Sequence, residues 1–240
     1  MKKLTLLKHL PLLCPGCRTD KYPALGGRFC PECLDKLLFF DPALHCPGCG
    51  GENTGTLEFC PQCLNEPPRP WKDAVAVFAY RLTGKELIRR FKFNNSPELA
   101  LPLGILAAEK LAVSGISADC LVPIPLTLPR SLKRGYNQSA LICEVISGIT
   151  GIPQLPALAR RFTLRHQAML NRKSRHRGLR DEFRLRKDVR GKTVLLLDDV
   201  LTTGATLSAA AKTLLDAGCS EVNILVLGRT ISYQTKSVPF

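Results

Sequence analysis

The sequence predicts an α/β protein: a mostly parallel sheet flanked by helices, preceded by a small cysteine-rich head. Three observations carry this reading. The apolar run Val194–Leu197 enters Asp198-Asp199, a Thr-Thr-Gly turn and a stretch of helical apolar spacing from Leu207 to Ala217, which reads as strand, loop and helix. Eight of the eleven cysteines fall in four C-x-x-C knuckles near the N-terminus. Between head and body lies Glu66-Pro67-Pro68-Arg69-Pro70, a proline density that helix and sheet both reject, so the expected domains are 1–70 and 71–240.

A chain of 240 residues with 45% hydrophobic content has room for one substantial core and a small second unit. No run of about 18 apolar residues is present. The opening Met1–Leu13 is broken by Lys8, His9 and Pro11 and is followed by no small-residue cleavage site, so a cytoplasmic protein without a transmembrane segment is expected. The net charge of +14 is uneven: Arg160 to Lys192 carries thirteen Lys or Arg against three acids.

In the head, Cys14/Cys17, Cys30/Cys33, Cys46/Cys49 and Cys60/Cys63 are separated by gaps of twelve, twelve and ten residues, with Pro or Gly in or beside most knuckles. Such turns let two thiolates reach one tetrahedral ion, and eight thiolates make two structural zinc sites of four cysteines each. A disulfide scaffold fits poorly without a secretory signal, and the regular repeat suits zinc better than an iron–sulfur spacing. Sequential pairing is expected, with an interleaved cross-brace as the alternative. His45 is a spare ligand beside Cys46.

After the linker, Trp71 is expected where the two domains meet. Ala74–Tyr80 reads as a strand, Lys85–Asn94 as an amphipathic helix with Arg89, Arg90 and Lys92 exposed, and Ser96-Pro97 as the cap and first turn of a helix reaching about Val113. Cys120–Pro125 is a short buried strand stopped by its prolines. Leu128–Ser139 reads as a basic loop ending in an Asn/Ser cap, then a helix from about Ala140 to Ile149. Pro156–Phe183 is long, basic and aperiodic, as lids and binding segments are. Val222–Leu227 is a last core strand, and Arg229 after it is a ligand-facing candidate. Cys120, Cys143 and Cys219 read as buried structural thiols.

The loop after Asp199 is the centre of the functional reading. Beyond the carboxyl end of a parallel strand, Thr202, Thr203, Gly204, Ala205 and Thr206 would aim N–H and hydroxyl groups at one point. The helix N-terminus behind them favours an anion by about 0.3–1 kcal/mol. Carboxylates beside a phosphate need hydroxyls or a divalent cation to satisfy them. A phosphorylated ribose meets both needs, with its phosphate in the loop, its diol at Asp198 and Asp199, and Mg²⁺ bridging diol and diphosphate. Helix capping alone would need one such residue rather than two acids and three threonines.

All thirteen positions from Val194 to Thr206 resemble the phosphoribosyl-diphosphate (PRPP) signature of type I phosphoribosyltransferases. With the four knuckles, Val-Pro-Ile-Pro at 122–125 and Lys133-Arg134-Gly135-Tyr136-Asn137-Gln138-Ser139, nearly the whole chain resembles the ComF/GntX family, a double zinc ribbon on a phosphoribosyltransferase domain. The resemblance implies a role in DNA uptake during natural transformation, where single-stranded DNA reaches the cytoplasm beside import-machinery proteins, and in the use of external DNA as a nutrient. Arg160, Arg161, Gln167 and Leu170 match a pattern of that family, whereas His166 and Asn171-Arg172-Lys173 depart from its usual spacing.

Two functions follow. In the first, an enzyme binds Mg²⁺ and PRPP at Asp198, Asp199 and Thr202–Thr206, with Arg134 and Gln138 on the PRPP, and an unidentified acceptor attacks ribose C1 as diphosphate leaves; Asp198 and Asp199 are the candidate catalytic pair. In the second, the chain is a DNA- and partner-binding adaptor with a vestigial or regulatory pocket. Arg160, Arg161, Gln167, Arg172, Lys173 and Arg175 then form either a lid over the polyanion or an arm for single-stranded DNA.

Overall fold

Four strands that are apolar on both faces, as buried parallel strands must be, form one sheet: β1 (Ala74–Ala79), β2 (Cys120–Pro123), β5 (Thr193–Leu201) and β6 (Glu221–Arg229). The computed structural model describes residues 13–19, 28–160 and 182–231. The strand order is β1-β6-β5-β2 with every pair parallel. Alternation along each strand sorts the core. Val194, Leu196, Ile224 and Val226 pack with Leu207, Ala210 and Leu214 of α7 (Ala205–Asp216). Leu195, Leu197, Leu225 and Leu227 face α3 (Leu82–Phe93), α4 (Ala100–Ser114) and α6 (Gln138–Thr150). A two-stranded antiparallel ladder of β3 (Leu158–Arg160) and β4 (Phe183–Leu185) forms a second sheet, whose Leu158 and Phe183 are buried in the core on the α7 face.

The head straddles the β1 edge. Cys14, Cys30 and Cys33 join the core on the α3/α4 face, whereas Cys46, Cys49 and Cys60 join the α7 face. Between them Phe39 bridges Phe78, the N–H of Ala79 donates to Leu38 O at 2.8 Å, and Gly50 lies so close to β1 that a Cβ would overlap the Ala76 nitrogen. An edge strand that would otherwise invite pairing is thereby covered. The two halves of the head repeat each other: Cys-Pro-Gly-Cys recurs at 14–17 and 46–49, and Phe-Cys-Pro-x-Cys-Leu at 29–34 and 59–64. In each, the last knuckle opens a short helix at its Pro, α1 (Pro31–Asp35) or α2 (Pro61–Leu64). Each Pro-Gly turn is held by the body: Arg90 donates to Pro15 O and Gly16 O at 2.8 and 2.6 Å, and Trp71 Nε1 donates to Gly48 O at 3.2 Å.

Several local expectations change. β5 continues through both acids to Leu201, because pairing with β6 as far as Arg229 overrides the poor strand propensity of Asp. The expected basic loop contains α5 (Leu128–Arg134), opened by Pro129 and closed by Gly135 at φ 74°. α6 starts at Gln138, since the Asn137 side chain accepts from the N–H groups of Ser139 and Ala140. Ser96 does not cap a helix: it is buried, accepts from Arg18 at 3.2 Å, and a 3-10 turn (Pro97–Leu99) precedes α4.

Candidate functional site

The eight knuckle thiols gather in two sets, Cys14/Cys17/Cys30/Cys33 and Cys46/Cys49/Cys60/Cys63, with the four sulfurs of each set within 4.8 Å of one another. The grouping is sequential. The N–H of Cys30 donates to Cys14 Sγ at 3.2 Å, and that of Cys60 to Cys46 Sγ at 3.3 Å. So many neighbouring thiols cannot all ionise unaided. Burial pushes Cys33 up, the hydrogen bond with Cys49 pushes Cys46 up to about 11, and the bond with Cys46 holds Cys49 down. A tetrahedral, thiophilic dication resolves the conflict, and both sets fit zinc. His45 is no ligand here; its Nε2 lies 2.9 Å from Asp73 Oδ1.

At the carboxyl end of β5, Asp198, Val200 and the loop from Thr202 to Leu207 line one open cleft. Gly204 takes φ 77° ahead of α7, so the chain turns sharply and brings the helix N-terminus to the cleft. The acids divide: Asp198 faces the loop, and Asp199 pairs with Lys92 Nζ at 2.8 Å. Burial, and then the Asp199 charge, pushes the Asp198 carboxyl up to about 7 from the ordinary 3.8. Ser139 Oγ lies 3.3 Å from Asp198 Oδ1, so the N-terminus of α6 also reaches the pair.

Lys92, expected on the exposed face of α3, is half-buried, because the last turn of that helix runs past the sheet's carboxyl edge. Arg90, also expected exposed, is half-buried against the first knuckle. Arg134 lies over the Phe93 ring, 4.9 Å from its centroid; burial pushes its pKa down from the ordinary value, and the charges of Asp199 and Asp198 work against that push. Gln138 is 1% exposed, with its oxygen accepting from Arg134 at 3.0 Å and its nitrogen donating to Phe91 O at 3.3 Å. It therefore orients Arg134 and has no amide group turned to the cleft. Arg229 is buried behind the loop rather than in the cleft: Nη1 donates to Thr202 O at 2.8 Å.

Arg160 is engaged within the ladder. Its Nε donates to Glu182 at 2.8 Å and its guanidinium lies 5.2 Å from the centre of the Phe183 ring, so it is no free charge for a lid or arm. Arg161, Gln167, Arg172, Lys173 and Arg175 lie outside the described residues. Among the described residues no helix is long and apolar enough to cross a membrane.

Residues 145–237 match the family model of the phosphoribosyl transferase domain. The DNA utilization protein YhgH of Escherichia coli K12 is 34% identical over 229 residues, covering 92% of this chain and 99% of that protein. The chain belongs to the ComF/GntX family. Competence protein F of Haemophilus influenzae is 30% identical over 225 residues, covering 90% of this chain and 96% of its own. Among solved structures, an allosteric regulatory enzyme of purine biosynthesis aligns with TM-score 0.39 and 24% identity, over 53% of this chain and 26% of that one. As a ComF/GntX protein the chain combines a type I phosphoribosyltransferase fold with two four-cysteine groups suited to a double zinc ribbon.

Proposed function

We propose that this protein serves the uptake or use of external DNA and carries a working PRPP pocket at the end of β5. The observation that supports this most is the juxtaposition of Asp198 with the Thr202–Leu207 loop in one cleft, in a chain alignable over nearly its whole length with a DNA utilization protein. In this reading the loop N–H groups and the Thr202, Thr203 and Thr206 hydroxyls take the 5-phosphate. Asp198 and Asp199 accept from the ribose hydroxyls, and Lys92 and Arg134 supply positive charge near the diphosphate. Mg²⁺ would offset charge on the diphosphate as it leaves. In transfer, an acceptor lone pair bonds to ribose C1 while the C1–O bond breaks and its electron pair departs with diphosphate. Positioning and charge stabilisation are what the chain contributes.

Residues 1–70 and 71–240 act in this reading as a zinc-holding head and a PRPP-binding body, in the cytoplasm where thiols stay reduced. Single-stranded DNA and import proteins are the partners, and the charge-rich segment after β3 meets the strand. The test is calorimetric titration of Mg²⁺ and PRPP into zinc-loaded protein beside an Asp198→Asn/Asp199→Asn variant. Binding lost in the variant supports the pocket. No binding to folded wild type overturns it and leaves the adaptor reading.

A further inference from the structure

Two arginines stand between the second cysteine set and the loop after β5. Arg229 is 2% exposed. Its Nη1 donates to Leu201 O at 3.2 Å, Thr202 O at 2.8 Å and Thr230 Oγ1 at 3.0 Å, and its Nη2 is buried without a protein partner among the described residues. A Cβ built on Gly51 would lie 3.6 Å from both the Arg229 stem and the Cys49 sulfur, so the arginine and the thiol flank one glycine. Arg69 donates from Nη1 to Thr203 O at 2.6 Å and pairs with Glu66. Its guanidinium lies 5.4 Å from the centre of the Trp71 ring, and a Cβ on Gly204 would overlap it. Trp71 in turn donates to Gly48 O inside the third knuckle.

The carbonyl of Leu201 at the end of β5 and those of Thr202 and Thr203 in the loop are thus held from behind by two guanidiniums. In a trans peptide the C=O and the following N–H point in opposite directions. Pinning these carbonyls aims the N–H groups of Thr202, Thr203 and Gly204 the other way, toward the cleft. A buried guanidinium needs a counter-charge, and Arg229 has no carboxylate among its described hydrogen-bond partners. A zinc ion held by the four thiolates of the second set would be a doubly negative centre beside the Arg229 stem and would supply that charge.

We propose that Arg69 and Arg229 are positioning residues that fasten the phosphate loop to the second zinc ribbon, so that metal bound by Cys46, Cys49, Cys60 and Cys63 preorganises the loop to receive a phosphate ester. This rests on the PRPP reading for its ligand, but not for its structural content. The ribbon then does more than stabilise the fold: its metal sets the geometry of a site on another element.

The experiment compares Arg69→Met, Arg229→Met and Arg69→Lys with wild type, reading zinc per chain, backbone amide order parameters over 202–206 by NMR relaxation, and Mg–PRPP affinity. With zinc content unchanged, the Met variants should lower the order parameters of that segment from the rigid range of about 0.85 toward about 0.6 or below. PRPP affinity should fall about tenfold, the scale of a lost charge-assisted hydrogen bond, and Arg69→Lys should recover part of both. Cys60→Ser, which disrupts the second set, should loosen the same segment while the strands of the sheet keep their order. Wild-type order parameters at 202–206 in zinc-loaded Arg69→Met would overturn the proposal. If wild type binds no PRPP, the order parameters still decide this inference while the pocket reading fails by itself. If Arg229→Met does not fold, the Arg69 pair decides.

Discussion

Lys92 Nζ meets Asp199 Oδ1 at 2.8 Å, and the N–H of Asp199 donates at 2.8 Å to the Asp198 carboxylate beside it. One cation from α3 therefore steadies two adjacent acids on β5. Without it, like charges would crowd at a half-buried strand end, where a carboxylate is costly to leave unpaired. Lys92 also ties the pocket to the head, since Arg90, two residues earlier, holds the first knuckle.

Lys92→Met should weaken Mg–PRPP binding by about tenfold, the scale of one charge-assisted contact. It should also lower stability by about 1–2 kcal/mol, less than a fully buried pair, because some water reaches this one. Calorimetric titration and urea unfolding measure the two effects. Unchanged affinity in a folded variant would remove Lys92 from the pocket.

A pH dependence follows from Asp198, raised to about 7 by burial and by Asp199. The native state holds a proton there that the unfolded chain has released. The contribution of this group to stability therefore falls as pH rises from the ordinary Asp range toward 7. Ligand binding runs the other way: the ribose hydroxyls need an ionised acceptor, so affinity should climb through about pH 7 and binding should release a proton. Titration in buffers of different ionisation enthalpy detects that proton, and Asp198→Asn should abolish the release.

Much of this is legible in the residues, and the gaps have physical causes. The four knuckles and the Val194–Thr206 run need only local spacing, and both are placed as the pattern requires. α5 escapes a reading of the sequence although Pro129 and Gly135 mark its ends, because its residues are too polar to show helical periodicity and none is buried. Lys92 is misplaced by pattern for another reason. A lysine on an amphipathic helix reads as solvated, and only the stacking of α3 on the sheet brings it to an acid more than a hundred residues away. Arg69 sits in plain view in a proline linker, and its target, the Thr203 carbonyl, is a backbone atom that no sequence pattern announces.

Gly204→Ala should damage fold and site together. The residue sits at φ 77°, and a Cβ would run into the Arg69 guanidinium. The strained backbone should cost about 1–3 kcal/mol. Phosphate-ester binding should fall further than that loss predicts, because the loop must move away from Arg69. Thermal melting and titration on the same sample separate the effects; wild-type affinity with a lowered melting temperature would mean that the loop adapts without help from its arginine.

Removing zinc should produce aggregation rather than a clean loss of the head. Structural zinc sites contribute on the order of 10 kcal/mol each to folding, so strong chelation should unfold both ribbons. The ribbons cover β1 through Phe39, Leu38 and Gly50, and β1 is an edge strand with the fully buried sequence Ala-Val-Ala-Val-Phe-Ala. Uncovered, it presents free N–H and C=O groups beside apolar side chains, the arrangement that recruits a second strand. Light scattering during chelation should therefore rise in step with metal release. A Lys in place of Val77, which packs toward α3 and α4, would confound this test by disturbing the core. The cleaner comparison is chelation of wild type at several protein concentrations, where strand recruitment predicts a lag that shortens as concentration rises and simple unfolding predicts none.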